Sequence, residues 1–123
     1  MCNEGRMYSV TDNSTFVLMA RRRKADNTYI VQSDVDEITL SIFDVTDSDE
    51  GELIDGSPTT LSKTSVIKDT LQTDSRWTDT KDSTGYNVIV STIVPSAGRY
   101  YRIELLIDLT GAEQHKIGWL VKS

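Results

Sequence analysis

The stretch "RYYRIELLIDLTGAEQHKIGWLVKS" (99–123) decides the fold. Tyr101, Ile103, Leu105, Ile107 and Leu109 occupy every second position, with Arg102, Glu104 and Asp108 between them. A period of two is the mark of a strand with one face in a core and one in water. "TGAE" (110–113) is a tight connection, and Ile117, Trp119 and Val121 then resume the alternation. Two alternating runs joined by so short a turn read as an antiparallel pair.

The same pattern recurs upstream. In "DEITLSIFDV" (36–45), Ile38, Leu40 and Ile42 face one way and Thr39 and Ser41 the other. "STFVLMARRR" (14–23) is rich in strand-compatible residues and follows the turn-like "TDNS". "GYNVIVSTIV" (85–94) places Tyr86, Val88 and Val90 on one face, and "PSAG" (95–98) follows as a turn. The last three strands are therefore expected to form an antiparallel meander. Shorter strands are expected at Gly51–Ile54 and Leu61–Ile67. One short helix is expected near 67–77, where Ile67, Leu71 and Trp77 fall roughly on helical spacing. Short strands with frequent turn signals predict an all-β antiparallel sandwich.

With 123 residues the chain suits a single domain, read as residues 15–123 with an N-terminal arm over 1–14. Hydrophobic residues make up 37% and charged residues 26%, a globular balance and not a disordered one. The net charge of −6 is the wrong sign for a bare nucleic-acid binder. Cys2 is the only cysteine, so no internal disulfide is expected. "MCNEGRMYSV" has no apolar run and does not read as a signal peptide, and "FVLMA" is too short to span a bilayer. A cytoplasmic fold with no membrane contact is expected.

Motifs for chemistry are sparse. His115 is the only histidine and sits in phase with Ile117 and Trp119, which reads as a strand-end side chain and not as a base. No nucleophile elbow, zinc spacing, phosphate loop or dinucleotide fingerprint is present. The acidic run "DVTDSDEGELID" (44–55) does not fit a calcium loop, because a register starting at Asp47 brings Gly51 one position early. No catalytic, cofactor or metal residue is expected, and the chain is read as a non-enzyme. "RRRK" (21–24) splits across a strand, with Arg21 and Arg23 opposite Arg22. The polar segment 69–85 is expected to cross from one sheet to the other, with Trp77 turned inward over the open end of the core.

Four stretches carry a resemblance: "ITLSIFDV" (38–45), "VIKDTLQTDSRW" (66–77), "DSTGYNVIV" (82–90) and "GRYYRIELLIDLTG" (98–111). Together they resemble small immunoglobulin-like structural proteins of tailed-bacteriophage particles, similar to the N-terminal domains of phage baseplate upper proteins. The likeness extends over about residues 15–121 and is most specific in the "DTLQTD…W" and "GYN" elements. The connection "VPSAGRYY" is shorter than is usual in that group.

The resemblance implies an immunoglobulin-like sandwich and a virion protein assembled in the host bacterial cytoplasm. It implies a capsid decoration or head-associated role, with a neck or head–tail connector, or a baseplate component, as alternatives. The implied partners are the major capsid protein or portal and neck proteins, in symmetric multimers. A glycan-binding host-adhesion module is the reading from another class. Candidate partner-binding residues are Met7, Tyr8 and Val10 in the arm, Arg21 and Arg23 in the basic run, and Trp77. The strands at Thr15–Arg22 and Lys116–Val121 are candidate edges for pairing with a neighbour.

Overall fold

A computed structural model describes residues 7–54, 56–73 and 85–123, without the side chains of Met7 and Tyr8. In chain order the described elements are β1 (Met7–Ser9), β2 (Phe16–Ala20), a 3-10 turn (Gln32–Asp34), β3 (Val35–Asp44), β4 (Glu52–Leu53) and β5 (Thr59–Leu61). There follow a helical turn α1 (Lys63–Val66), β6 (Ile67–Gln72), β7 (Tyr86–Thr92), β8 (Tyr100–Leu109) and β9 (Gln114–Lys122). The chain is all-β, with two sheets packed as a sandwich. The larger has the order β1-β9-β8-β3-β4, with β5 also on β3, and the smaller is β2-β7-β6.

The alternating stretches become the middle of the larger sheet. β8 pairs antiparallel with β9 from Tyr100↔Lys122 to Asp108↔Gln114, and with β3 on its other side. Tyr101, Ile103, Leu105, Ile107 and Leu109 are buried, as are Ile38, Leu40 and Ile42 of β3 and Ile117, Trp119 and Val121 of β9. They meet Leu18, Val88 and Val90 of the smaller sheet in one core. Each such aliphatic side chain contributes roughly 1.5–3 kcal/mol on burial.

Of segment 1–14, Met7–Ser9 pairs in parallel with Leu120–Lys122, and the Val10 N–H continues the ladder to the Lys122 carbonyl. The outer edge of the last strand is thus partly occupied by the chain itself. On β2, Leu18, Met19 and Ala20 are almost fully buried, main chain included. That edge is closed to an added strand at these positions.

Several expectations need correction. β7 and β8 do not pair: they belong to opposite sheets, and 93–99 carries the chain between them. "PSAG" is therefore a corner and not a hairpin. Alternation identifies a strand but does not say which sheet it joins, and both lateral neighbours of β8 are already β3 and β9. Segment 69–85 does not change sheets either, because β6 and β7 are neighbours in the smaller one. Helical structure falls at Lys63–Val66, inside the stretch read as a strand, while Ile67–Gln72 is β6. The ladder to β7 at Ile67↔Val88 overrides the weak helical spacing of Ile67 and Leu71.

Tyr86 does not join Val88 and Val90; it forms a second cluster with Met19, Ile89 and half-buried Val17. The cause lies beside it. The β6–β7 register shifts between Ile67↔Val88 and Gln72↔Tyr86, so regular alternation is lost there.

Candidate functional site

The candidate residues do not converge on one surface. Met7, Tyr8 and Val10 lie on the β9 edge near Leu120–Lys122, where Val10 is half-buried against the core. Arg21 and Arg23 follow β2 at the opposite end of the sandwich. Trp77 lies outside the described residues.

The basic run is engaged within the chain. The Arg21 guanidinium reaches the Gly85 carbonyl at 3.4 Å. Arg22 donates to the Lys116 carbonyl at 3.1 Å. Arg23 donates to the Tyr29 hydroxyl at 2.8 Å and to Asn27 Oδ1 at 3.2 Å, with its guanidinium carbon 4.6 Å from the Tyr29 ring centroid. A phosphate or acidic partner would compete with these contacts.

At that same end, loop 21–34 meets turn 110–113 around an open cleft of about 400 Å³. Lys24 and Asp34 pair at 3.1 Å, and Asp34 also accepts the Val31 N–H at 3.0 Å. That main-chain bond, with Lys24 beside it, holds the Asp34 carboxyl below its usual range. Glu113 accepts from His115 at 2.6 Å and from the Ala25 N–H at 2.9 Å, and its carboxyl is lowered first by the His115 bond. Asp26 accepts the Thr28 N–H and hydroxyl and is lowered by both. Glu113 thus ties the turn to the loop, with His115 on its carboxylate. No set of three or more His, Cys, Asp or Glu among the described residues is placed to hold a metal ion.

The acidic run is an organised strap at the other end. Arg99 bridges Asp44 at 2.9 Å and Asp47 at 3.2 Å. Arg102 donates to the carbonyls of Asp49 at 2.7 Å and Glu50 at 3.0 Å, and lies over the Phe43 ring. Gly51 closes the strap at φ +74°, where an added Cβ would lie 2.9 Å from the Asp44 carbonyl oxygen. The carbonyls of Asp49 and Glu50, which could help bind a hard cation, already accept from arginine.

Two features had little signal in the sequence. Asn87 is the only buried polar or charged residue among those described. Its amide oxygen accepts the Arg22 N–H at 2.8 Å, and its nitrogen donates to the carbonyls of Arg22 and Ile30 at 3.0 Å each. It anchors loop 21–30 to the smaller sheet. The second feature is a pair of adjoining side cavities of about 390 and 370 Å³, flanked by β5 and by β7 with the residues after it. Thr60 and Ser91 line the first, and Ile54 and Ile93 the second.

No protein-family model, curated protein or solved structure matches the chain. No helix among the described residues is long and apolar enough to cross a membrane.

Proposed function

We propose that this chain is a non-enzymatic structural component of a tailed-phage particle, most simply a capsid decoration or head-associated protein, and that it works through protein–protein contacts. The observation that carries this reading is the employment of its polar side chains. Glu113, Asp34, Asp44 and Asn87 each hold one segment of the sandwich to another at hydrogen-bond distance, and His115 is engaged by Glu113. A side chain committed to holding a loop is poorly placed to move protons for a substrate. What remains is a rigid scaffold, and scaffolds of this kind act by presenting surface.

The immunoglobulin-like form of the sandwich belongs to the same proposal. In support, β2-β7-β6 faces a sheet centred on β9-β8-β3, which corresponds to strands B-E-D against G-F-C of that fold. Tyr101, at the start of β8, directs its hydroxyl back to the Ser96 carbonyl at 3.5 Å, in the position of a tyrosine corner. Adhesion to glycans draws less support. Trp119 is 1% exposed and unavailable for stacking on a sugar, and Lys122 lies over the exposed Tyr100 ring.

Quantitative mass spectrometry of purified particles tests the reading. A copy number comparable to that of the major capsid protein is expected for decoration. A single ring's worth would move the chain to the neck, connector or baseplate. Its absence from particles would overturn the virion reading.

A further inference from the structure

A groove opens on the side of the sandwich between the edges of the two sheets. One wall is β5, paired to β3 on its inner side. The other is the second half of β7. Pairing of β6 with β7 includes Ile67↔Val88, and a regular continuation would set 63–66 beside Ile89–Thr92. That stretch is instead the helical turn α1, which coils the chain out of the ladder.

Both walls turn main-chain polar groups into this space. The Val94 carbonyl accepts from the Asn13 N–H on the β2 side. Peptide groups alternate sides along a strand, so Ser91 directs its N–H and C=O away from β2, toward the groove. The Ile42 carbonyl accepts from the Ile54 N–H on the β4 side. The same alternation makes Leu40 and Ile38 the residues bonded to Thr59 and Leu61, and leaves Thr60 facing outward. Thr60 and Ser91 are both exposed.

The groove changes character along its length. Around Thr60 and Ser91 it is polar, with Lys68 at its border. Lys68 makes no ion pair among the described residues. Farther along, Ile42, Ile54 and Ile93 make it apolar, and Ile93 is 47% exposed, a large hydrophobic side chain at the rim of an apolar hollow.

We infer that this groove is a strand-addition site for an extended peptide segment of another protein. The segment hydrogen-bonds to the outward peptide groups of Ser91 and Thr60, places an apolar side chain against Ile93 and Ile54, and offers a carboxylate to Lys68. Main-chain pairing supplies affinity in such a mode, and the alternate side chains supply selectivity. The inference needs only the groove and stands apart from the particle reading.

The test is to pan the full chain against a random-peptide display library, with the Ile93→Asp variant panned in parallel. Enriched peptides are expected to alternate apolar residues and to carry an acidic one. A synthetic peptide of that sequence is expected to slow amide exchange at Ser91 and Thr60. Ile93→Asp should weaken it about tenfold or more, and Lys68→Glu about threefold. Circular dichroism checks that the variants are folded; if Ile93→Asp is not, Lys68→Glu carries the comparison. The site is overturned if no peptide is enriched over the variant, or if bound peptides leave exchange at Ser91 and Thr60 unchanged. It is also overturned if the wild-type chain self-associates and Ile93→Asp makes it monomeric, because the occupant is then a second copy.

Discussion

The two sheets hold one core by different means. In the larger, β8 pairs with β9 without a register shift from Tyr100 to Asp108, its pairing with β3 shifts only at the Val35/Glu37 end, and its inward side chains are apolar but for the Tyr101 hydroxyl. In the smaller, β6 shifts register against β7, α1 interrupts the approach to it, and Asn87 is buried among apolar neighbours. Packing of alternating apolar side chains accounts for the middle of the first sheet. The second depends on particular hydrogen bonds and on one glycine. Where packing carries the structure, truncation should cost in proportion to the volume removed. Where particular bonds carry it, the cost should follow the polar groups left without partners.

The largest effects should come from one substitution in each sheet. Ile103→Ala in the middle of β8 is expected to lower stability by about 2–5 kcal/mol, the range for a large aliphatic side chain that leaves a cavity. Asn87→Leu adds apolar volume and on hydrophobicity alone would be harmless. It is expected to cost about 2–4 kcal/mol, because it strips the partners from the Arg22 N–H and from the Arg22 and Ile30 carbonyls. Chemical denaturation of both variants checks the pair. If Asn87→Leu proved neutral, the smaller sheet would be held by packing as the larger one is.

Gly85→Ala comes next. Gly85 enters β7 at φ +99°, and a Cβ built there would lie 2.2 Å from the Gln72 carbonyl oxygen. Neither the backbone angle nor the close approach suits a side chain, so a loss of about 2–3 kcal/mol is expected. The damage should be local, with faster amide exchange in β6 and β7 and little change in β8 and β9. Uniform loss of protection would show that the two sheets unfold as one unit.

The same contrast explains what was legible in the sequence. Strands β3, β8 and β9 follow from their alternation, because each has one face in the core. β7 is buried at Tyr86–Val90 without a break, so its period was less informative. The pairing partner of β7 was misread because a turn such as "PSAG" fixes a change of direction but not the sheet on which the next strand lands. The helical turn was placed a few residues late because local spacing at Ile67 and Leu71 competes poorly with a ladder. Candidate surface residues were the least legible. Composition marks Arg21, Arg23 and the acidic run as charged, but not that Tyr29, Gly85, Arg99 and Arg102 engage them within the chain. Asn87 stands within the "GYN" element, and nothing in its neighbours distinguishes a buried anchor from a turn residue.

The response to acid separates the sandwich ends from its core. Asp34 and Glu113 have carboxyls lowered in the folded state, Asp34 chiefly by the Val31 N–H and Glu113 chiefly by His115. A group lowered on folding stabilises above its unfolded pKa and loses that contribution as pH falls through its folded one. These two carboxylates should therefore make stability decline as pH falls below about 4, the ordinary carboxylate range. Asp34→Asn should flatten part of that decline. Ile103→Ala should lower the whole curve without changing its shape. Denaturation midpoints measured from neutral to acid pH would separate the two patterns.

The smallest expected effect bears on the basic run. Arg23 is exposed, and its three contacts, with Tyr29 through the hydroxyl and the ring and with Asn27, are all to surface groups. Exposed pairs of this kind contribute about 0.5–1 kcal/mol. Arg23→Ala should therefore shift the unfolding midpoint only slightly, while Arg23→Lys keeps the charge but loses the planar fork that serves Tyr29 and Asn27 together. On the proposed particle role, a partner-binding run would make Arg23→Ala reduce incorporation into particles and Arg23→Lys largely restore it, with stability scarcely moved in either. If Arg23 only stiffens loop 21–30, both variants should incorporate normally, and amide exchange at Lys24 and Asn27, whose N–H groups close the turn, should quicken in both. On the geometry the second outcome is expected, because Arg23 already has Tyr29 and Asn27 on its guanidinium and a partner would have to displace them.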